Sequence, residues 1–161
     1  MEMQSLQSML DRTNIIDLVT RYAVCIDMRR FEDLGNCFVD EIELKLISTG
    51  QWIKVSREKL VEIVTRTFVQ YDATQHISAN HQVELAGERA VCISTLNATH
   101  FIANDPDGPI QRQIGYYRYE LQRAGEWKIC RVEQMLSWQD GNQEIFERAH
   151  RDVGLPVLAN P

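Results

Sequence analysis

Three of the four histidines fall in one stretch, Thr74 to Phe101 (TQHISANHQVELAGERAVCISTLNATHF). Imidazole takes up and releases protons near neutral pH, so this stretch is the first candidate for proton chemistry. It reads as two β-strands joined at Ala86-Gly87-Glu88. His76 and His81 are five residues apart. An odd separation puts them on opposite faces of a regular strand unless a bulge intervenes. That spacing does not supply the three or four convergent ligands of a zinc site, and no metal is expected. His81 shares parity with Val83 and Leu85, which leaves its face open, and its role is read as structural. His100 shares parity with Cys92, Leu96 and Ile102 and is expected to point inward, where an imidazole must find a hydrogen bond. His150, near Arg148 and Arg151, is expected on the solvated surface.

Two further candidates lie upstream. Ile15, Leu18, Val19, Tyr22 and Ile26 recur at spacings of three and four and predict an amphipathic helix over 11–28. Asp11 and Thr13 are both possible N-caps. Asp27 sits at the inner edge of that stripe, where it either meets an interior group, pairs with Arg29 or Arg30, or closes the helix. Tyr22 lies on the stripe itself, and its hydroxyl needs a partner there.

The remaining elements must position these groups. A short second helix carries Phe31, Leu34, Cys37 and Phe38 inward. Period two over Asp40–Ile47 predicts a half-buried strand, followed by a turn at Ser48–Gln51 and a short strand at Trp52–Val55. Ser56 caps a third helix whose stripe is Leu60, Val61, Val64 and Phe68. Asn104-Asp105-Pro106-Asp107-Gly108-Pro109 is the strongest turn signal. It leads to a strand over Gln111–Gln122 with Tyr116, Tyr117 and Tyr119 on alternating faces. A last strand runs from Trp127 to Trp138, then a helix over Asn142–His150 and an apolar tail at Leu155-Pro156-Val157-Leu158. Helices gathered ahead of antiparallel hairpins indicate an α+β fold. A strongly curved antiparallel sheet wrapped around the N-terminal helices would bury both stripes and leave a hollow. One domain over 1–161 is expected, with its core at 8–140 and a C-terminal helix and tail at 141–161.

Several function classes drop out. A net charge of −6 offers no basic face for nucleic acid or an anionic membrane. The start MEMQSLQSML lacks a secretory pattern and no apolar run is long enough to span a bilayer, so a cytoplasmic location is expected. Cys25, Cys37, Cys92 and Cys130 are scattered singly and read as buried free thiols. No glycine-rich phosphate loop, nucleophile elbow or metal-binding helix motif is present. The expected chemistry is proton transfer by side chains, with no cofactor and no metal.

The helix end Tyr22-x4-Asp27-x3-Phe31-x2-Leu34, then Thr74-Gln75-His76, the Gly87 hairpin leading to Ala90, and Gly125-Glu126-Trp127-Lys128-Ile129 resemble the SnoaL-like branch of the NTF2-like superfamily. That superfamily includes polyketide cyclases, scytalone dehydratase, bile-acid 7α-dehydratase, hexachlorocyclohexane dehydrochlorinase and ketosteroid isomerase. The resemblance implies a cone-shaped α+β barrel with a pocket inside the curved sheet. It implies that Asp27 pairs with His76 as a catalytic dyad, that His100 matches a second site histidine and that Tyr22 matches a dehydratase-like tyrosine. A tyrosine pair seen in scytalone dehydratase is not carried over, because Ile26 and Leu46 stand there. The implied activity is a cofactor-independent lyase acting on a small hydrophobic substrate, with an isomerase or cyclase, or a non-catalytic binding or dioxygenase β-subunit role, as alternatives. The implied partner is a second or third copy of the chain. Trp127, Met135 and Trp138 are expected at that contact, and the tail is expected over the pocket mouth or a neighbour.

Overall fold

The computed structural model describes residues 2–47 and 49–154. The first helix, α1 (Glu2–Asp27), is followed by α2 (Phe31–Leu34), a 3-10 turn (Gly35–Cys37), β1 (Phe38–Lys45), β2 (Trp52–Ser56) and α3 (Arg57–Phe68). Four long strands then form a meander: β3 (Ala73–Ala86), β4 (Arg89–Phe101), β5 (Ile110–Ala124) and β6 (Glu126–Gly141), closed by α4 (Gln143–Asp152). The sheet order is β2-β1-β6-β5-β4-β3. Among the described residues only the β1–β6 pair is parallel. The expected α+β class holds, but the curved sheet keeps two edges, β2 and β3, and does not close into a full barrel.

The core lies between α1 and the concave face. Ile15, Val19 and Ile26 are fully buried with Phe38, Ile42, Tyr119, Leu121 and Ile129. Each large apolar side chain removed from water contributes about 1.5–3 kcal/mol, so this stripe is what holds the helix on the sheet. On β4 the even-numbered residues from Ala90 to His100 are all buried, the period-two pattern of a strand with one face inward. Cys25, Cys37 and Cys92 are buried free thiols and Cys130 is half-buried. Burial pushes the Cys37 thiol up to about 12, which leaves it unreactive.

Four expectations are corrected. The first helix starts nine residues before Asp11, so Asp11 and Thr13 are interior rather than caps. Asp11 is instead a buried anchor: it accepts from the Trp127 indole at 3.1 Å and pairs with Arg123 at 2.7 Å. Trp127 is therefore buried in the monomer and is not part of an exposed contact face. His150 is half-buried, with its ring 3.9 Å from that of Phe146 and Nδ1 2.9 Å from the Phe146 carbonyl, rather than solvated. Finally, a register shift between Ala79 and Gln82, with Asn80 at φ +52°, inserts one extra residue into β3. This bulge resets the parity and brings His81 to the face of Ser78, whose Oγ is 3.1 Å from His81 Nε2. The apolar tail at Leu155–Leu158 and Ser48 of the first turn lie outside the described residues.

Candidate active site

Asp27 is the last residue of α1, and the way that helix ends aims it at β3. The Arg30 amide donates to the Cys25 carbonyl at 2.8 Å and the Arg29 amide to Ile26 at 3.1 Å, the paired closure of a Schellman motif. The residue at its left-handed position is Arg29, φ +57°, where glycine is the usual occupant. The arginine has a use there. Its guanidinium donates to the Ile26 carbonyl at 3.0 Å, the Thr74 hydroxyl at 2.9 Å and the Tyr71 carbonyl at 3.1 Å. It ties the helix end to the start of β3.

Three bonds then converge on the Asp27 carboxylate. The His76 amide donates to Oδ2 at 2.6 Å, His76 Nδ1 lies 2.7 Å from Oδ1, and the Thr74 hydroxyl donates to Oδ1 at 3.0 Å. Burial alone would raise the Asp27 pKa, but the His76 side-chain and backbone bonds with that of Thr74 outweigh it and hold the carboxyl below its ordinary value. The group is therefore an anion at neutral pH. A carboxylate only accepts, so His76 Nδ1 carries the proton and Nε2 offers its lone pair. The His76 side chain keeps 4% of its surface against 21% for Asp27, so solvent reaches the pair mainly through the carboxylate.

His100 stands beside this pair, with its ring 5.6 Å from that of His76 in an edge-on arrangement. Phe68, Tyr71 and Phe146 wall it at 5.9, 4.7 and 5.8 Å. Its Nδ1 meets Gln111 Oε1 at 2.7 Å, and Gln111 Nε2 donates onward to Gln143 Oε1 at 3.2 Å at the start of α4. Gln111 Oε1 is an acceptor, so His100 Nδ1 is the protonated nitrogen. Burial, with the charge of His76 as a smaller contribution, lowers the His100 pKa to about 3. The ring is neutral at physiological pH.

Tyr22 packs edge-on against Phe38, Tyr117 and Tyr119 at 5.4, 6.2 and 6.3 Å. Burial drives its pKa up to about 12, so it stays a phenol. Burial, then the neighbouring Tyr22 and more weakly the Asp27 charge, raise the Tyr117 pKa well above its ordinary value. Tyr116 faces outward. The structure thus brings Asp27, His76 and His100 into one cluster and places Tyr22 in the adjoining aromatic layer. Sequence reading passed over Arg29, Tyr71, Gln111 and Phe146 as members of this cluster. Gln111 alone carried a signal, since it shares parity with Tyr117 and Tyr119 on a strand with one buried face. Among the described residues no group of three or more metal-ligating side chains converges.

An open, curved α+β sheet with a carboxylate–imidazole pair on its inner side defines the class. The chain belongs to the SnoaL-like domain family, whose match spans residues 7–133. Its fold is the NTF2-like, cystatin-like one. It is similar to the Kfla4162 protein from Kribbella flavida, with 25% identity, a TM-score of 0.79 and 86% of this chain and 98% of that chain covered. It is also similar to a protein of Novosphingobium aromaticivorans provisionally named a scytalone dehydratase, with 19% identity, a TM-score of 0.73 and 88% and 92% covered. A third similar structure is the hexachlorocyclohexane dehydrochlorinase LinA-type3 from Novosphingobium barchaimii, with 18% identity, a TM-score of 0.71 and 86% and 94% covered. The last two likenesses establish the fold. No curated protein matches the chain in sequence.

Proposed function

We propose that the protein is a cofactor-independent lyase of the dehydratase or dehydrohalogenase type. Its substrate in this reading is a small hydrophobic cyclic molecule of aromatic, polyketide or steroid-like character. The observation that carries the reading is the 2.7 Å contact between Asp27 Oδ1 and His76 Nδ1, with the carboxylate held as an anion. Asp27 fixes the tautomer and stabilises the imidazolium formed on proton uptake, the logic of a base held by an orienting carboxylate. His76 Nε2 removes a proton next to a carbonyl or a leaving group. The surrounding Phe68, Tyr71 and Phe146 rings exclude water, which strengthens each polar interaction inside.

The reading assigns proton delivery, or stabilisation of a developing enolate, to a phenol and Tyr22 in particular. His100 is neutral and its one N–H is committed to Gln111, so it suits a structural neighbour of the base better than an acid. An isomerase or cyclase would use the same base, and product mass separates the two. The test is incubation with a panel of cyclic β-hydroxy ketones and chlorinated cycloalkanes, read by mass spectrometry. Loss of water or of hydrogen halide is the expected result. A product of unchanged mass would point to isomerisation, and no turnover of any member would contradict the lyase.

A further inference from the structure

Two buried side-chain atoms on the concave face, Gln113 Nε2 and Gln139 Oε1, have no hydrogen-bond partner among the described residues. They are neighbours. Gln113 on β5 and Gln139 on β6 are register partners, and register partners project to the same side of a sheet. The Gln113 side chain is oriented, because its Oε1 accepts from Gln134 Nε2 at 3.0 Å. That leaves Nε2 as an uncommitted donor on a residue 2% exposed. Burying amide groups without partners is unfavourable, and here a donor and an acceptor stand unmatched side by side.

The same register row continues to the proposed base. Gln113 pairs with Ala98 on β4, and Ala98 pairs with His76 on β3. The row therefore reads His76, Ala98, Gln113, Gln139. Adjacent strands lie about 4.8 Å apart, so the His76 and Gln113 backbones stand about 10 Å apart. Between them projects only the methyl group of Ala98. A small ring placed over that methyl would meet imidazole on one edge and the two amides on the other.

We propose that Gln113 and Gln139 form a hydroxyl-binding subsite facing His76. The Gln113 N–H donates to the substrate oxygen and the Gln139 carbonyl accepts its O–H. A hydroxyl satisfies both atoms at once, whereas a carbon-bound halide has no hydrogen to give and leaves the carbonyl unmatched. The assignment rests on the lyase reading and narrows it to hydroxylated apolar rings rather than halogenated ones.

The test is binding, measured by calorimetry and ligand-observed NMR, with 1-tetralol and cyclohexanol against tetralin, 1-chlorotetralin and chlorocyclohexane as probes. In the unmodified protein the alcohols bind about tenfold more tightly than their matched hydrocarbon or chloride. Gln113→Leu and Gln139→Leu each remove that preference and leave tetralin affinity within about twofold. A measurement independent of the variants is the Gln113 side-chain amide resonance of the unmodified protein, which shifts with 1-tetralol and not with tetralin. Equal affinities, no binding of any probe, or a preference that survives both substitutions would overturn the subsite. Elimination activity of the unmodified protein, measured alongside binding, separates the two readings. A hydroxyl preference in a protein without elimination activity keeps the subsite and removes the lyase. Elimination without that preference does the reverse.

Discussion

At the scale of single residues, the dyad depends on groups that never touch a substrate. Arg29 acts on Asp27 through Thr74: its N–H fills a lone pair of the Thr74 hydroxyl, whose only hydrogen is then directed at Asp27 Oδ1. Glycine suits the left-handed position better than arginine but loses the three guanidinium bonds, so Arg29→Gly should lower thermal stability only slightly while kcat falls about tenfold at unchanged KM. Thr74→Val removes one of the bonds that lower the Asp27 carboxyl, and a carboxyl 13C titration should show its pKa moving upward. His100 makes a stability prediction with a definite sign. Its folded-state pKa of about 3 lies below the unfolded value of 6.5, so the unfolded chain takes up the proton first. The stability from keeping it neutral is fully present above pH 6.5 and is lost as pH falls toward 3, by up to about 1.4 kcal/mol per pH unit. Urea midpoints at pH 7 and pH 5 should differ accordingly, and His100→Asn should reduce the difference. Asp27, His100 and Tyr22 were legible as inner-face candidates from helix and strand periods, whereas His76 as the partner of Asp27 came from the family resemblance. Arg29 was legible only as a possible ion partner of Asp27, because its acceptors at Thr74 and the Tyr71 carbonyl lie more than forty residues along the chain.

At the scale of elements, two departures from regular structure decide where side chains go. The β3 bulge at Asn80 reverses the parity argument for His81, and single-sequence alternation carries no sign of one inserted residue. The early start of α1 turns Asp11 from a cap into a cross-strut to Trp127 and Arg123 on the far hairpin. Periodicity alone hid this, because the first helical turns expose Leu6, Met9 and Leu10 and so show no buried stripe. Asp11→Ala leaves the Trp127 indole N–H and the Arg123 guanidinium unmatched. The expected loss is about 2–3 kcal/mol, below the ~3–5 kcal/mol of a fully buried pair because Arg123 keeps a quarter of its side chain in water. A urea midpoint that does not move would refute the strut.

At the scale of the whole molecule, one part of the outward face of the sheet gathers exposed apolar side chains. Ile77, Asn97, Ile114 and Trp138 form one outward row across four strands, flanked by Tyr116. Trp138, Ile77 and Tyr116 are 52%, 50% and 45% exposed, a patch of the kind that marks a contact surface. The chain is therefore expected to self-associate, as a trimer or a dimer, through this row. Trp138→Glu should give a monomer by light scattering, while an unmodified protein that runs as a monomer would refute it. Met135 and Trp138 remain candidates for that face, whereas Trp127 is turned inward by Asp11. The α+β architecture was legible from element order, but the open sheet edges and the row of exposed residues required register. The central claim is that His76, oriented by Asp27, removes the proton. Single-turnover rates of the unmodified protein and of Asp27→Asn and His76→Gln, all shown folded by circular dichroism, test it most directly. A rate loss of about 10²–10⁴ in each variant is predicted, with the double variant little worse than either single one because the pair acts as a unit. Elimination at the unmodified rate in either variant would contradict it.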